Sequence, residues 1–533
     1  TNKQTNKQTN KQTNKQTNKK IDILIVSILI VVLVNNNYMD NTSNKSKHPS
    51  KISEDEESIT DEYNIFEPNR EVCIVTAGSV DSGKSTLIGT FVTDKTDDGN
   101  GSLRKLVAKH KHEIVSGKTS DISTSVLHRK LKDGDKELVM VDLCGHRKYL
   151  GTTIYGMTGY FPDYGILIIA ANKGVLPMTR EHINVLNSLH IPFAIFITRE
   201  DIAPPGIFER TCKSINREFK HTNKKLQFIN GSHKITLNTR AKKIICQINK
   251  DFDDPEPILE VFNEYCDGGM FRLNSEKVPK DDIDKLQNII NETLNEYQMK
   301  IFSKLETLAK DIKNNPYLVP IITISNKTGY CLEAAKNFTY NLEPRKDDWS
   351  NSEESVFYIE ANFEKPGIGL IISGILRGKD VKVGDTMYIG PYGTKYVKIK
   401  IWSIHDNNRQ TLLKLTNAHR GCFAIRILDK KVEFKRKDIR RGMVVISNLE
   451  YLENLCYEFE AKINILHHSN TIHTGFSPNI IMANIKQSAR IIIPDSIQHK
   501  DKDGNIIKPC LRTGDCEVVK FRFLYAPEIV KEG

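Results

Sequence analysis

Hydrophobic and polar residues fall into three successive textures along the chain. After a polar opening comes an apolar run, Ile23 to Val34, broken only by Ser27. From Glu71 to about residue 345, short apolar runs alternate with longer mixed stretches. Glu71–Ala77, Val139–Val141, Phe193–Ile197 and Pro320–Ile324 read as buried strands, each delivering polar residues at its carboxyl end. Between the last two, Ile283, Leu286, Ile290, Leu294, Tyr297, Ile301, Leu305, Leu308 and Ile312 recur at steps of 3 or 4. Their mean step is close to the 3.6 of a straight helix. Packing against the neighbouring domain is the plainer reading of that helix; docking of a partner is the sharper one. From Val356 onward the runs are short and β-rich, separated by Gly, Asp and Pro, as in Gly369–Gly374 and Val381–Asp385. That spacing predicts a barrel.

The chain has 533 residues and a net charge of +11. Residues 1–20 contribute six Lys and no acid, and residues 21–70 return a surplus of five acids. Residues 71–533 therefore carry +10, with +7 of it in 351–533. A basic folded body suits a polyanionic partner such as RNA. The ten Cys form no CxxC and no zinc-type spacing, which excludes a disulfide framework and structural zinc and fits a reducing, cytoplasmic setting.

Residues 1–70 are expected to be a disordered leader: Thr-Asn-Lys-Gln repeats four times at its start and cannot build a core. The Ile23–Val34 run is shorter than the roughly 20 residues a membrane helix needs. Asn35–Asn37 follow it with no small-residue cleavage site, against a signal peptide. A start at Met39 is favoured over a membrane anchor. A peptide spanning Ile23–Val34 in the native protein would sink that idea.

Five separated pieces carry the chemistry. The first, Gly78-Ser79-Val80-Asp81-Ser82-Gly83-Lys84-Ser85 followed by Thr86, is GxxxxGKS between a strand and a helix. Such a loop cradles nucleoside triphosphates with backbone N–H groups and a helix N-terminus. Lys84 would reach the β- and γ-phosphates and the Ser85 hydroxyl would ligate Mg²⁺. The second piece is DxxG plus His: Asp142 would hold Mg²⁺ through water, the Gly145 N–H would sense the γ-phosphate, and His146 would orient the attacking water. The alternative for His146 is an ordinary surface histidine. The third piece, His112–Ser120, looks like a switch loop, with Thr119 as the hydroxyl that closes on Mg²⁺. The fourth, Thr198-Arg199-Glu200-Asp201, lets Asp201 accept from the N1 and N2 donors of guanine, a pair adenine lacks. Arg199 could stack on the base. In the fifth, Ser325-Asn326-Lys327 would back the guanine. Their order and roles together point to GTP.

These pieces resemble the translational GTPases, the elongation factor Tu/1-alpha superfamily. GSVDSGKSTLIG is similar to their GHVDxGKS/T loop, with Ser79 at the usual His. DLCGHRKYL is similar to DxPGHxxY/F. The stretches 110–120, 146–182 and 324–329 are most similar to the GTP-binding protein 1/2 branch. The resemblance implies that Thr119 is the switch I threonine, that His146 is the catalytic histidine, and that Val80 gates access to the water. TRED departs from the branch's TKxD at Arg199. KPGIGLIISGILRGKDVKVGD resembles the superfamily's second domain, and segments from Glu458, Ser488 and Leu511 resemble its third.

The expected architecture is an α/β P-loop GTPase domain over 71–345, with an insertion at about 206–318, followed by two all-β barrel domains at 355–448 and 455–533. The last is expected to be incomplete or closed by other means. Lys430, Lys431, Lys435, Arg436, Lys437, Arg440 and Arg441 form a basic run, either solvated or contacting RNA phosphates. Adjacent His467 and His468 point to opposite strand faces and make a poor chelate. The expected function is a GTP-hydrolysing switch in translation that uses Mg²⁺ and acts as a monomer with ribosome and tRNA or other RNA, without a membrane or zinc. Two rivals stay open: a GTP-dependent adaptor in RNA turnover or signalling, and a degenerate weak GTP binder.

Overall fold

The computed structural model describes residues 70–229, 239–248, 280–345 and 353–530, apart from 109, 117–118, 132–133, 430, 466–467, 469, 498, 501–505 and 508. The apolar run Ile23–Val34, Lys118, Lys430 and His467 lie outside the described residues. No helix among the described residues is long and apolar enough to cross a membrane. The described residues between 70 and 345 form one compact unit and those between 353 and 530 belong to another.

The first unit is built on a seven-stranded sheet: β1 Arg70–Ala77, β2 Ser123–Leu131, β3 Gly134–Asp142, β4 Tyr164–Ala170, β5 Phe193–Thr198, β6 Lys225–Phe228 and β7 Leu318–Thr323. Its order is β2-β3-β1-β4-β5-β7-β6. Only β2 runs antiparallel, paired with β3; all other neighbours are parallel. The central strands are apolar on both sides because helices cover both faces. Parallel register brings their carboxyl ends to one edge: Thr76 pairs with Asp142, Ala170 with Thr198, and Ile197 with Thr323. β1 lies between β3 and β4, so the order reverses beside it, the place where open α/β sheets bind ligands.

Residues 206–318 contribute to this sheet. They supply most of helix Pro205–Phe219, all of β6, and the 32-residue helix Ile283–Asn314. At 1.5 Å per residue that last helix is about 48 Å long. Its apolar stripe is buried at Leu286, Ile290, Ile301, Leu305, Leu308 and Ile312. The last four share one core cluster with Ile322 of β7 and Phe338 of helix Leu332–Asn341. At least the second half of the helix is therefore core of the α/β domain.

In the second unit, six strands close on themselves by backbone pairing. Ser355–Lys365 pairs with Gly369–Gly378, which pairs with Arg420–Ile427, then Lys395–His405, then Thr386–Tyr392. Val444–Ile446 joins Thr386–Tyr392 back to Ser355–Lys365. Alternation explains the barrel: Val397, Ile399 and Ile401 point into its core while Lys398, Lys400 and Trp402 are exposed. The following β domain has a four-stranded antiparallel sheet, Glu458–Asn464, Cys516–Phe523, Ile485–Ile492 and Asn479–Met482. It surrounds a core that includes Phe459, Ile463, Ile491 and Phe521. Its backbone pairings do not form a closed ring among the described residues. Asn484 donates to the Met443 carbonyl at 2.7 Å, and Arg440 pairs with buried Glu528 at 2.6 Å, linking the two β domains.

Candidate functional site

β1 runs directly into the glycine loop. Gly78, Asp81 and Gly83 have φ of 139°, 57° and 95°, left-handed geometry that wraps the backbone inward. Gly78 tolerates no side chain: a Cβ there would stand 2.3 Å from the Ile168 carbonyl oxygen. Helix Lys84–Thr93 starts at the end of this loop, aiming its positive end at the enclosed space. Lys84 is buried, and its Nζ donates to the carbonyls of Gly78 at 3.0 Å and Ser79 at 2.9 Å.

Three residues expected at the metal meet at one point. Ser85 Oγ donates to Asp142 Oδ2 at 2.5 Å and lies 3.2 Å from Thr119 Oγ1. Thr76 of β1 donates to the other oxygen, Asp142 Oδ1, at 3.2 Å. Burial pushes the Asp142 carboxyl up and the Lys84 ammonium down, and each charge partly offsets the other's shift. Gly145 presses against the loop: a Cβ there would lie 2.6 Å from Lys84 Nζ and 2.7 Å from the Val80 nitrogen. His146 caps a short 3-10 turn, its Nδ1 accepting from the Lys148 N–H at 3.1 Å. That bond puts the proton of the neutral ring on Nε2. Val80, Lys84, Ser85, Thr119, His146 and Arg199 border one cleft, together with Asp81, Gly83, Thr86 and Gly145.

The base-side pieces are tied to the same loop. Thr198 donates to the Ser82 carbonyl at 2.6 Å. Asp201 Oδ1 accepts from Ser325 Oγ at 2.9 Å, joining the ends of β5 and β7. Asn326 Nδ2 would stand 3.4 Å from a Cβ at Gly83. Arg199 takes a left-handed conformation, φ 59°. Burial, with Asp201 alongside, pushes Glu200 up to about 7. Asp81 faces outward to Lys173 at 3.5 Å, and Ser79 Oγ meets Thr179 Oγ1 at 2.8 Å. Lys327 lies alongside Gly99.

The family profile described as "Elongation factor Tu GTP binding domain" matches residues 69–345, just over half of the chain. The chain belongs to that family. It is similar over 481 residues to GTP-binding protein 1 of Xenopus laevis, at 29% identity, covering 86% of this chain and 60% of that protein. GTP-binding protein 2 of Mus musculus is 29% identical over 483 residues, covering 86% of this chain and 66% of that protein. The chain thus spans less than two thirds of these relatives. Among solved structures, the bacterial selenocysteine-specific elongation factor EF-Sec aligns with a TM-score of 0.49 at 17% identity, covering 87% of this chain and 55% of that one. Elongation factor SelB from Methanococcus maripaludis, in complex with the GTP analogue GppNHp, aligns with the same TM-score and identity, covering 87% and 74%.

The G domain also uses residues that the motifs did not single out. His182 is fully buried on helix Pro177–Ser188, and its Nδ1 accepts from the Gly78 N–H at 2.9 Å. Burial, with Lys84 adding to it, pushes His182 down to about 3, so the ring stays neutral. Thr179, three residues earlier on the same helix face, holds Ser79. Asp97 gathers the N–H groups of Gly99, Gly101 and Leu103, and its own N–H donates to the Asn326 carbonyl at 2.8 Å. The signal for Thr179 and His182 was a polar pair at i, i+3 in an otherwise apolar helix face. Asp97 carried no such signal, because its partners lie within a Gly-rich loop.

Proposed function

We propose that this protein hydrolyses GTP to GDP and phosphate as a conformational switch, and that it works in the cytoplasm with ribosome and tRNA. One observation carries the hydrolysis: Ser85, Thr119 and Asp142 converge beside a cleft that Lys84 and His146 also border. Two hydroxyls and a buried carboxylate are hard oxygen donors, a set that suits Mg²⁺. Ser85 and Thr119 would hold the ion directly and Asp142 through water; the ion would neutralise phosphate charge.

The chain's own groups supply the rest. The backbone N–H groups of Gly83 to Ser85 cradle the phosphates, and Lys84 turns its ammonium from loop carbonyls to phosphate oxygens. Gly145, pressed against the loop, reports the γ-phosphate through its N–H. His146 offers Nε2–H as a donor while Nδ1 is held by Lys148. In this arrangement His146 orients the water or stabilises developing charge; it cannot accept a proton at Nε2 without giving up the cap bond and moving its proton to Nδ1. Val80 borders the cleft and would act as its gate. Asp201, fixed by Ser325, accepts from guanine and rejects adenine.

The translation role is supported by the family and by the barrel's basic surface. Lys431, Lys435, Arg436 and Lys437 are exposed beside a groove lined by Asn362, Glu364 and Phe434. Arg440 pairs with Glu528 and Lys435 with Glu433, which leaves Lys431, Arg436 and Lys437 on that strip as bases for phosphates. Co-sedimentation with ribosomes in the presence of a non-hydrolysable GTP analogue tests this role. Pelleting that depends on the analogue is expected; no pelleting favours the adaptor in RNA turnover or signalling.

A further inference from the structure

We propose that Glu113 is a positioning residue that latches the switch segment so that Thr119 meets Ser85. Glu113 lies on the short helix Lys111–Ser116 and is 4% exposed. Its Oε1 accepts from the Ser120 N–H at 2.6 Å, the Ser120 hydroxyl at 2.9 Å and the Asp121 N–H at 3.3 Å. Its Oε2 accepts from the His110 N–H at 3.0 Å. One buried carboxylate thus joins the start of the helix to the residues immediately after Thr119.

Neighbouring contacts act in the same direction. Ser120 uses its hydroxyl proton on Glu113, so His112 Nε2, 2.7 Å away, donates to Ser120 Oγ. His110 Nε2 stands 3.7 Å from Asp121 Oδ2. From the other side, Cys144 of the DxxG segment donates its thiol to the Asp121 carbonyl at 3.7 Å. Thr119 precedes this clamp by one residue, and Glu113 borders the same narrow space as Ser85, Thr119 and Asp142. Without Glu113, three N–H groups and a hydroxyl lose their acceptor together, and the clamp on Ser120 and Asp121 is released. The GTP form needs Thr119 at the metal and the GDP form does not, so Glu113 acts selectively on the GTP form. This inference rests on Thr119 being the closing hydroxyl.

Equilibrium binding of fluorescent GDP and of a non-hydrolysable fluorescent GTP analogue, both with Mg²⁺, tests it on the full chain. The variants are Glu113→Ala, Glu113→Gln, Thr119→Ala and the double Glu113→Ala/Thr119→Ala. Glu113→Ala should weaken the analogue about tenfold or more, as expected for losing several bonds to a carboxylate, and leave GDP within about twofold. Glu113→Gln, which turns an NH₂ toward the His110 N–H, should fall between that variant and wild type. The double variant should be no worse than Thr119→Ala, since both changes act on one contact. If Thr119→Ala loses the preference for the analogue and Glu113→Ala keeps it, the latch is wrong and the Thr119 reading stands. If Thr119→Ala binds both nucleotides as wild type does, both ideas fall. Additive losses in the double variant would also overturn the latch. So would loss of both nucleotides in Glu113→Ala with wild-type behaviour in Glu113→Gln, because Glu113 would then serve folding alone.

Discussion

The phosphate end and the base end of the site are held together in different ways. At the phosphate end the working groups are charged, buried and mutually dependent: Lys84 and Asp142 shift each other's ionisation, and Ser85 bonds directly to Asp142. At the base end the proposed guanine acceptor, Asp201, is half-buried and held by one hydroxyl, Ser325. Losing one member of a buried charged set costs several kcal/mol. Losing a specificity contact mainly changes which ligand is preferred. The phosphate end should therefore control whether any nucleotide binds, and the base end which one.

Lys84→Ala probes this contrast most strongly. It should weaken GTP and GDP alike by about 10³-fold, roughly 4 kcal/mol, in calorimetric titration. Unchanged affinity for both nucleotides would remove the claim that the buried pair governs binding. His146→Ala comes next: single-turnover hydrolysis should slow by about 10²–10³-fold while analogue affinity stays within about threefold. A matching loss of affinity would make His146 a binding residue instead. Asp201→Asn should lower GTP affinity by about 10²-fold and raise that for xanthosine triphosphate, whose base presents an acceptor where guanine has its amino group. That exchange would also exclude the degenerate weak binder. A loss for both nucleotides would place Asp201 in the scaffold.

The smallest effect concerns His182. Its folded-state value of about 3 lies below the ordinary 6.5. Below about pH 6.5 the unfolded chain takes up a proton that the folded chain refuses. The contribution is therefore complete above 6.5 and declines as pH falls toward 3, by at most about 1.4 kcal/mol per pH unit. Urea unfolding at pH 7.0 and 5.5 should show that decline in the wild type and a shallower one in His182→Asn. Equal slopes would mean that the histidine is protonated without cost.

The same contrast explains what could be read from the sequence. Gly78 to Ser85 is a local motif whose geometry follows from eight consecutive residues, so its chemistry was visible at once. Asp142 and Asp201 were legible as candidates because one ends an apolar strand and the other follows one by three residues, and parallel pairing sends those strand ends to one edge. His146 stood out through its DxxG context; Thr119 was one hydroxyl among several in a polar loop until the family resemblance singled it out, and the gating role of Val80 came from that resemblance alone. Glu113, Asp97 and His182 had no assigned role: what they do lies in bonds to backbone groups 2 to 104 residues away. The helix over 283–312 was legible from its period, but β6 was not. Lys225–Phe228 is only four residues long and half-exposed at the sheet edge, too short and too polar to stand out from its surroundings.

The central claim is that GTP hydrolysis is a partner-controlled switch acting through His146. Single-turnover GTP hydrolysis by the full chain, with and without ribosomes, tests it most directly. The account predicts slow hydrolysis by the protein alone, acceleration of about 10³-fold or more on ribosomes, and loss of that acceleration in His146→Ala. The same rate with and without ribosomes, or full acceleration in His146→Ala, would contradict it.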